Sequence, residues 1–324
     1  MKRFEFVAPT SLDAALEELS KPGRVAKAGG VDLLDLMKEG LAEPERVVSL
    51  NAVAELRGVR PTKDGGLAVG ARTTLAEIAA NEPIRARWTA LALAAEHAAT
   101  PQLRNMATLG GNLVQRPRCW YFRSEEFHCR KKGGAKCFAH DGQNQNHAIF
   151  GNRLCAMVHP STLATALTVL GARVHLAGRN ERRVVNIEDF FVAPDTDLKR
   201  ENVRRDHEII THVELPPLGP GWRSVYAKQQ HKQSFDWPLA DVAIAARLDG
   251  DVCRGVKIAL GAAAPTPHRA RAAEEAIRGR KIDRDVQVRA SEAATRDATP
   301  LTQNGYKVAV FEAVVQRLLG ELAS

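Results

Sequence analysis

Four of the five cysteines, Cys119, Cys129, Cys137 and Cys155, fall within 37 residues, with nine, seven and 17 residues between successive members. Thiols gathered like this in a chain without a disulfide-rich framework point to a metal or cluster site more than to disulfides. A structural zinc site usually draws two ligands from a pair about two to four residues apart, because a tight knuckle presents both to one ion. No such pair occurs here. The wide spacing suits a larger object, such as an iron–sulfur cluster held at its corners by four thiolates. His128, His140 and His147 share the window and could substitute as ligands, although a surface or supporting role is the ordinary one for each. Cys253 stands apart in an alternating run, where it reads as a small buried hydrophobe. The same window is basic. Arg116, Arg118, Arg123, Arg130, Lys131, Lys132 and Lys136 face only Glu125 and Glu126, a net charge of +5 in 21 residues. That charge fits a solvated loop, a phosphate site, or cations balancing an anionic metal centre.

Two glycine pairs offer a second chemistry: Lys27-Ala28-Gly29-Gly30-Val31-Asp32 and Ala107-Thr108-Leu109-Gly110-Gly111-Asn112. Each is expected on a strand end or loop, where two residues without Cβ let backbone N–H groups close on a phosphate. The first also precedes a helix, whose N-terminus favours anions. Neither is a G-x-G-x-x-G and no G-x-x-x-x-G-K-[ST] occurs, so neither a Rossmann nor a P-loop site is expected. No Ser/His/Asp or paired-carboxylate arrangement stands out, and no catalytic residue is assigned.

The elements that must position these residues are those of an ordinary globular chain. It has 324 residues, 44% apolar and 26% charged, with a net charge of +8. The length suggests two domains at about 100–200 residues each. The stretch Met1 to Phe6 holds no apolar signal segment, and Leu154 to Ala172, the longest uncharged run, is too polar for a membrane span. Helices are expected over 11–19, 31–38, 84–99, 161–170, 268–278, 284–294 and 306–322, with another opened by the capping box Thr74-Leu75-Ala76-Glu77. Strands are expected at 24–28, 46–50, 67–69, 173–176, 183–187, 208–215, 224–228, 241–248 and 252–260. The linker Pro216-Pro217-Leu218-Gly219-Pro220-Gly221 marks a boundary near 218. Residues 117–152 show no apolar period, yet they hold six of the 17 aromatics, so something other than secondary structure must order them.

Lys27 to Leu34 and Leu103-Arg104-Asn105-Met106-Ala107-Thr108-Leu109-Gly110-Gly111-Asn112-Leu113 resemble the two FAD-binding motifs in the flavoprotein subunit of the xanthine dehydrogenase family of molybdenum hydroxylases. The resemblance runs the length of the chain. It implies an α+β fold: a FAD-binding domain of the vanillyl-alcohol-oxidase (PCMH) type over 1–218, and a smaller α/β C-terminal domain over 219–324, like that of the carbon monoxide dehydrogenase flavoprotein. The segment 115–156 is similar to an iron–sulfur insertion found in two branches, a three-subunit periplasmic aldehyde oxidoreductase and 4-hydroxybenzoyl-CoA reductase. The stretch Gln115 to Tyr121 and on through His147 to Gly151 looks closer to the first.

The resemblance implies FAD bound by Ala26, Lys27, Ala28, Gly29, Gly30, Val31, Asp32, Leu33, Leu34, Thr108, Gly110, Gly111, Asn112 and Lys228, and one 4Fe–4S cluster on Cys119, Cys129, Cys137 and Cys155. It implies a heterotrimer with a molybdenum-cofactor subunit and a subunit carrying two 2Fe–2S clusters, passing electrons through FAD to an external small-molecule acceptor. The compartment would be the periplasm, reached by co-export with a partner, or the cytoplasm. Thr162 stands where the family often has an acidic residue. A different class, a metal-dependent nucleic-acid-binding protein, would use Arg118-Cys119-Trp120-Tyr121-Phe122-Arg123 to stack on single strands, but it leaves the glycine pairs unexplained.

Overall fold

The computed structural model describes every residue except Gln233. The chain begins as two β–α–β turns of a small parallel sheet, in which Arg46–Ser49 lies between Glu5–Val7 and Arg24–Lys27. Its crossover helices are Leu12–Leu19 and Val31–Lys38. Ser11 caps the first through an Ala14 N–H bond, and Ala15, Leu16 and Leu19 pack on Val48, Leu50 and Val53. A five-stranded antiparallel sheet follows, ordered Val59–Pro61, Leu67–Gly70, Ile209–Leu215, Arg173–Ala177 and Arg182–Asn186. The last sheet is also antiparallel, from Trp222–Gln229 through Ala240–Asp249 and Val252–Gly261 to His268–Arg269. Helices Arg271–Ile277, Arg284–Thr295 and Tyr306–Ala323 cover it.

Helix Thr162–Leu170 joins the two larger sheets. Every one of its residues is buried, and Leu163, Ala166 and Leu167 share a core with Val213 and Leu215 on one side and Ala243, Ala245 and Ala259 on the other. Its only polar side chains are the threonines Thr162, Thr165 and Thr168, and a helix without charges suits a place between two sheets.

The expected helix over 84–99 is two helices, Glu82–Arg87 and Thr89–Glu96, broken at Trp88. Trp88 is 1% exposed, and its indole N–H donates to the Pro216 carbonyl at 3.1 Å. The adjacent Ala90 N–H goes to Ser224 Oγ at 3.1 Å. Satisfying a buried indole from a distant segment outweighs the continuity of one helix. Pro101 does not merely stop a helix: it opens Pro101–Met106, capped by Thr100. His268 and Arg269 form the edge strand instead of the first turn of a helix, which starts at Arg271.

The irregular segment holds only a four-residue helix, Trp120–Arg123, and a 3₁₀ turn, Arg130–Lys132. Buried amide side chains order the rest. Asn144 donates to the Ala139 and Gly142 carbonyls and to Thr302 Oγ1, while Asn152 donates to Ala148 and Thr299. Asn304 reaches back to the carbonyls of His147 and Ala148. Lys307, wholly buried, donates to the His147 carbonyl at 3.1 Å and the Ala262 carbonyl at 2.5 Å.

Trp88→Ala is expected to cost about 3–5 kcal/mol through the cavity it leaves. Trp88→Phe should cost less, about 1 kcal/mol for the lost hydrogen bond plus a packing defect. Denaturant unfolding of the two variants checks the ranking.

Candidate functional site

The first glycine pair turns the chain from strand Arg24–Lys27 into helix Val31–Lys38, with Gly30 as N-cap at φ +79°. A side chain at Gly30 would be strained there. A Cβ on Gly29 would lie 1.8 Å from the Met106 carbonyl oxygen. The two glycine motifs are therefore packed backbone to backbone, and Gly29 is what lets them touch. The second pair lies in a helix, Leu109–Leu113, and not on a strand or loop. Thr108 caps it by accepting the Gly111 N–H, and the Gly110 N–H goes to the Ala71 carbonyl at 2.8 Å. A Cβ on Gly110 would meet Ala71, whereas one on Gly111 would meet only Thr108 Oγ1. Asn112 Oδ1 accepts from Ser161 Oγ at 2.6 Å, tying the motif to the start of helix Thr162–Leu170.

Together these elements wall a cavity of about 860 Å³. It is lined by Ala26, Lys27, Ala28, Gly29, Gly30, Val31, Asp32 and Leu33 from the first motif, by Thr108, Gly110, Gly111 and Asn112 from the second, and by Lys228. Leu34 does not line it, and lies instead beneath Gly30. Thr162 does line it, with its hydroxyl on the Ala94 carbonyl. Sequence reasoning missed the opposite wall, which Ala98, Ala99, Thr100, Arg200, Arg204 and Trp237 help to build. Ala99 has φ +46°, uncommon for a residue with a side chain. Arg104 holds it there by donating to the Ala98 and Ala99 carbonyls, and Lys228 Nζ donates to the His97 carbonyl at 2.9 Å. The Lys228 link spans 131 residues, and no local pattern signals it.

Behind Lys228, across the strand pair, stands Asp241, 2% exposed. Burial pushes its carboxyl up to about 7, against the pull of Thr165, Lys228, Tyr226 and Lys307. A Cβ on Gly261 would fall within 2.4 Å of both carboxylate oxygens, so that strand must carry glycine there.

The four cysteines line one small second cavity, with Tyr121, Phe122, Arg130, Lys131, Phe138 and Met157 completing its wall. Among the described residues no three His, Cys, Asp or Glu side chains converge to hold a single metal ion. Of the histidines, His147 lies 3.2 Å from Cys119 Sγ through Nε2, while His140 bonds the Asn152 carbonyl. Burial pushes the Cys119 thiol up to about 11 and, with Lys307 nearby, holds His147 down at about 4. Cys137 and Cys155 share a hydrogen bond that lowers the first thiol and raises the second. Cys253 is fully buried in the C-terminal core, as a small hydrophobe.

The basic residues around this cavity are not a free solvated face. Asp32 Oδ1 pairs with Arg118 and Arg123, both at 2.8 Å, and Oδ2 accepts the Arg116 N–H at 2.8 Å. Arg123 also pairs with Glu39. Lys131, 4% exposed, meets the buried Glu201 at 2.6 Å, and Arg116 pairs with the same carboxylate. The Asp32 carboxylate, at the head of the first glycine-motif helix, thus holds the cysteine segment.

A model of the FAD binding domain in molybdopterin dehydrogenase matches residues 2–218. The chain belongs to this family. The CO dehydrogenase flavoprotein C-terminal domain matches residues 225–322. The chain is 32% identical to the aldehyde oxidoreductase FAD-binding subunit PaoB of Escherichia coli, over 99% of this chain and 98% of that one. It is 28% identical to the carbon monoxide dehydrogenase medium chain of Hydrogenophaga pseudoflava, over 98% and 96%. A solved carbon monoxide dehydrogenase from that organism superposes with a TM-score of 0.76 at 27% identity, covering 98% of this chain and 96% of that chain. Among the described residues no helix is long and apolar enough to cross a membrane.

Gly29→Ala should disrupt the joint between the two motifs and lower thermal stability together with flavin content, whereas Gly111→Ala should fold like the unsubstituted chain. Melting curves and bound-flavin absorbance on both variants test this asymmetry. The raised Asp241 carboxyl gives a pH test. A folded pKa above the unfolded one favours folding at low pH, and the contribution is lost as pH rises from about 4 to about 7. Asp241→Asn should therefore gain stability relative to the unsubstituted chain across that window, read as the difference between their denaturation midpoints.

Proposed function

We propose that this chain is the electron-transfer flavoprotein subunit of a molybdenum-containing aldehyde oxidoreductase. One observation carries the reading: both glycine motifs bound a single large cavity, and the helix that begins at the first of them also clamps the segment whose four thiols face the second cavity. The full-length likeness to an aldehyde oxidoreductase FAD-binding subunit selects the enzyme class. Substrate oxidation takes place on a molybdenum-cofactor subunit, and a second partner carries two 2Fe–2S clusters. The compartment follows from those partners, the periplasm by co-export or the cytoplasm.

The large cavity fits FAD in size and in its donors. Bound FAD would supply a carrier able to exchange electrons singly or in pairs. Ala26 to Leu33 hold its pyrophosphate side, where helix Val31–Lys38 presents first-turn N–H groups that have no acceptor inside the helix. Thr108, Gly110, Gly111 and Asn112, packed beside the first motif, would meet the rest of the cofactor, and Lys228 would bring a cation to the wall. Leu34 acts from beneath, as packing for Gly30. Asp32 contributes its place in the wall, since its carboxylate is engaged by three arginines.

The donor set of the small cavity, four sulfurs and no carboxylate, fits an iron–sulfur cluster. Such a 4Fe–4S cluster would supply a one-electron relay. Cys119, Cys129, Cys137 and Cys155 would hold it; the aromatic wall would exclude water; and Lys131, close to Cys155, would lower the cost of placing negative charge there.

The purified full chain should be yellow-brown, with one FAD and about four irons per chain if every cysteine takes one corner. Serine at any of the four should lower the iron content, while Cys253→Ser should leave it unchanged. Iron retained in full by any of the four variants would remove that cysteine from the site. The isolated chain should not turn over aldehydes; substantial turnover would sink the subunit assignment.

A further inference from the structure

Among the described residues His147 is the one histidine with a ring nitrogen within hydrogen-bond distance of a cysteine sulfur. Its Nε2 lies 3.2 Å from Cys119 Sγ, its side chain is 3% exposed, and its Nδ1 is buried with no hydrogen-bond partner among the described residues. The ring is held from two directions. Trp120 stands edge-on to it at 4.9 Å, and its backbone carbonyl takes hydrogen bonds from Asn304 Nδ2 at 3.0 Å and Lys307 Nζ at 3.1 Å. A side chain fixed by residues about 157 and 160 positions away is placed by the fold and not by its own loop.

A cysteine that ligates a cluster is a thiolate and has no proton to give. With Cys119 in that form, the 3.2 Å contact places a proton on His147 Nε2, which donates to the sulfur.

We infer that His147 is a positioning residue for the cysteine-bound centre: its Nε2–H donates to the Cys119 thiolate and stabilises the reduced, more negative state of the cluster. This rests on the cluster reading above. A hydrogen bond to a ligating sulfur offsets the charge added on reduction, so it raises the reduction potential without supplying a ligand.

The experiment is an equilibrium redox titration of the full chain, followed by EPR, with iron measured on the same samples. His147→Ala removes the donor, and His147→Gln keeps an N–H near the place of Nε2. His147→Ala should keep the iron content of the unsubstituted chain yet lower the reduced-to-oxidised ratio at a fixed potential about tenfold, equivalent to about 59 mV for a one-electron couple. His147→Gln should restore most of it. An unchanged potential in His147→Ala overturns the inference and leaves the cluster reading standing. Loss of iron from both variants overturns it differently, by making His147 a ligand. An unsubstituted chain without iron removes the cluster reading and this inference together.

Discussion

The Asp32 carboxylate is the contact on which the two cavities depend. It stands in the first turn of the helix that Gly30 caps, where the helix N-terminus already favours negative charge. Three donors from one short stretch meet it: the Arg116 N–H, Arg118 and Arg123. Exposed ion pairs contribute little, about 0–1 kcal/mol, but this group is about 15% exposed and its partners 20% and 10%. Removing it would take from Arg118 its carboxylate partner, while Arg123 would keep Glu39. The same carboxylate thus fixes the helix beside the large cavity and the approach of Cys119 to the small one.

The cysteine segment is ordered by polar groups where most loops of its length would need an apolar core. Tyr121, Phe127 and Phe138 form a compact cluster, with Phe127 edge-on to both others at 4.9 and 5.1 Å. Most of its backbone is outside helices and strands, so its buried carbonyls need partners from elsewhere. Asn144, Asn152, Asn304 and Lys307 meet that demand from inside the molecule. Burying the Lys307 ammonium is costly: burial holds it down to about 7 although Asp241 pulls it up. The Ala262 carbonyl it reaches belongs to a residue at φ +55°. Strain and an expensive cation are thus placed together at the seam between the cysteine segment and the C-terminal sheet.

What the sequence disclosed was local. Thr74 and Glu77 form the capping box with both of its reciprocal bonds, and Ser11 and Ser161 cap the helices expected of them. Most strands of the two larger sheets lie where the sequence placed them, and the four cysteines line one cavity. What stayed hidden depends on pairings across the chain. Nothing near Trp88 announces that Pro216 will accept its indole proton, so the helix break was invisible. Gly110 looks interchangeable with Gly111 in the motif, yet one faces Ala71 and the other faces open space beyond Thr108. Asp32 reads as a cofactor residue by position, while its carboxylate is taken up by arginines 84 and more residues away. The wall from Ala98 to Thr100 owes its shape to Arg104 and Lys228, whose reach no spacing rule encodes.

The amide clamp also sets an order of events as the protein is made. A ribosome releases Cys155 long before Thr299, Thr302, Asn304 and Lys307 exist, yet those residues supply the donors and acceptors that hold 144–152 in place. That stretch therefore cannot reach its final place on the nascent chain; it does so only after the last helix begins to dock. The ordering of 144–152 is a late event, governed by the last tenth of the polypeptide and not by the segment itself.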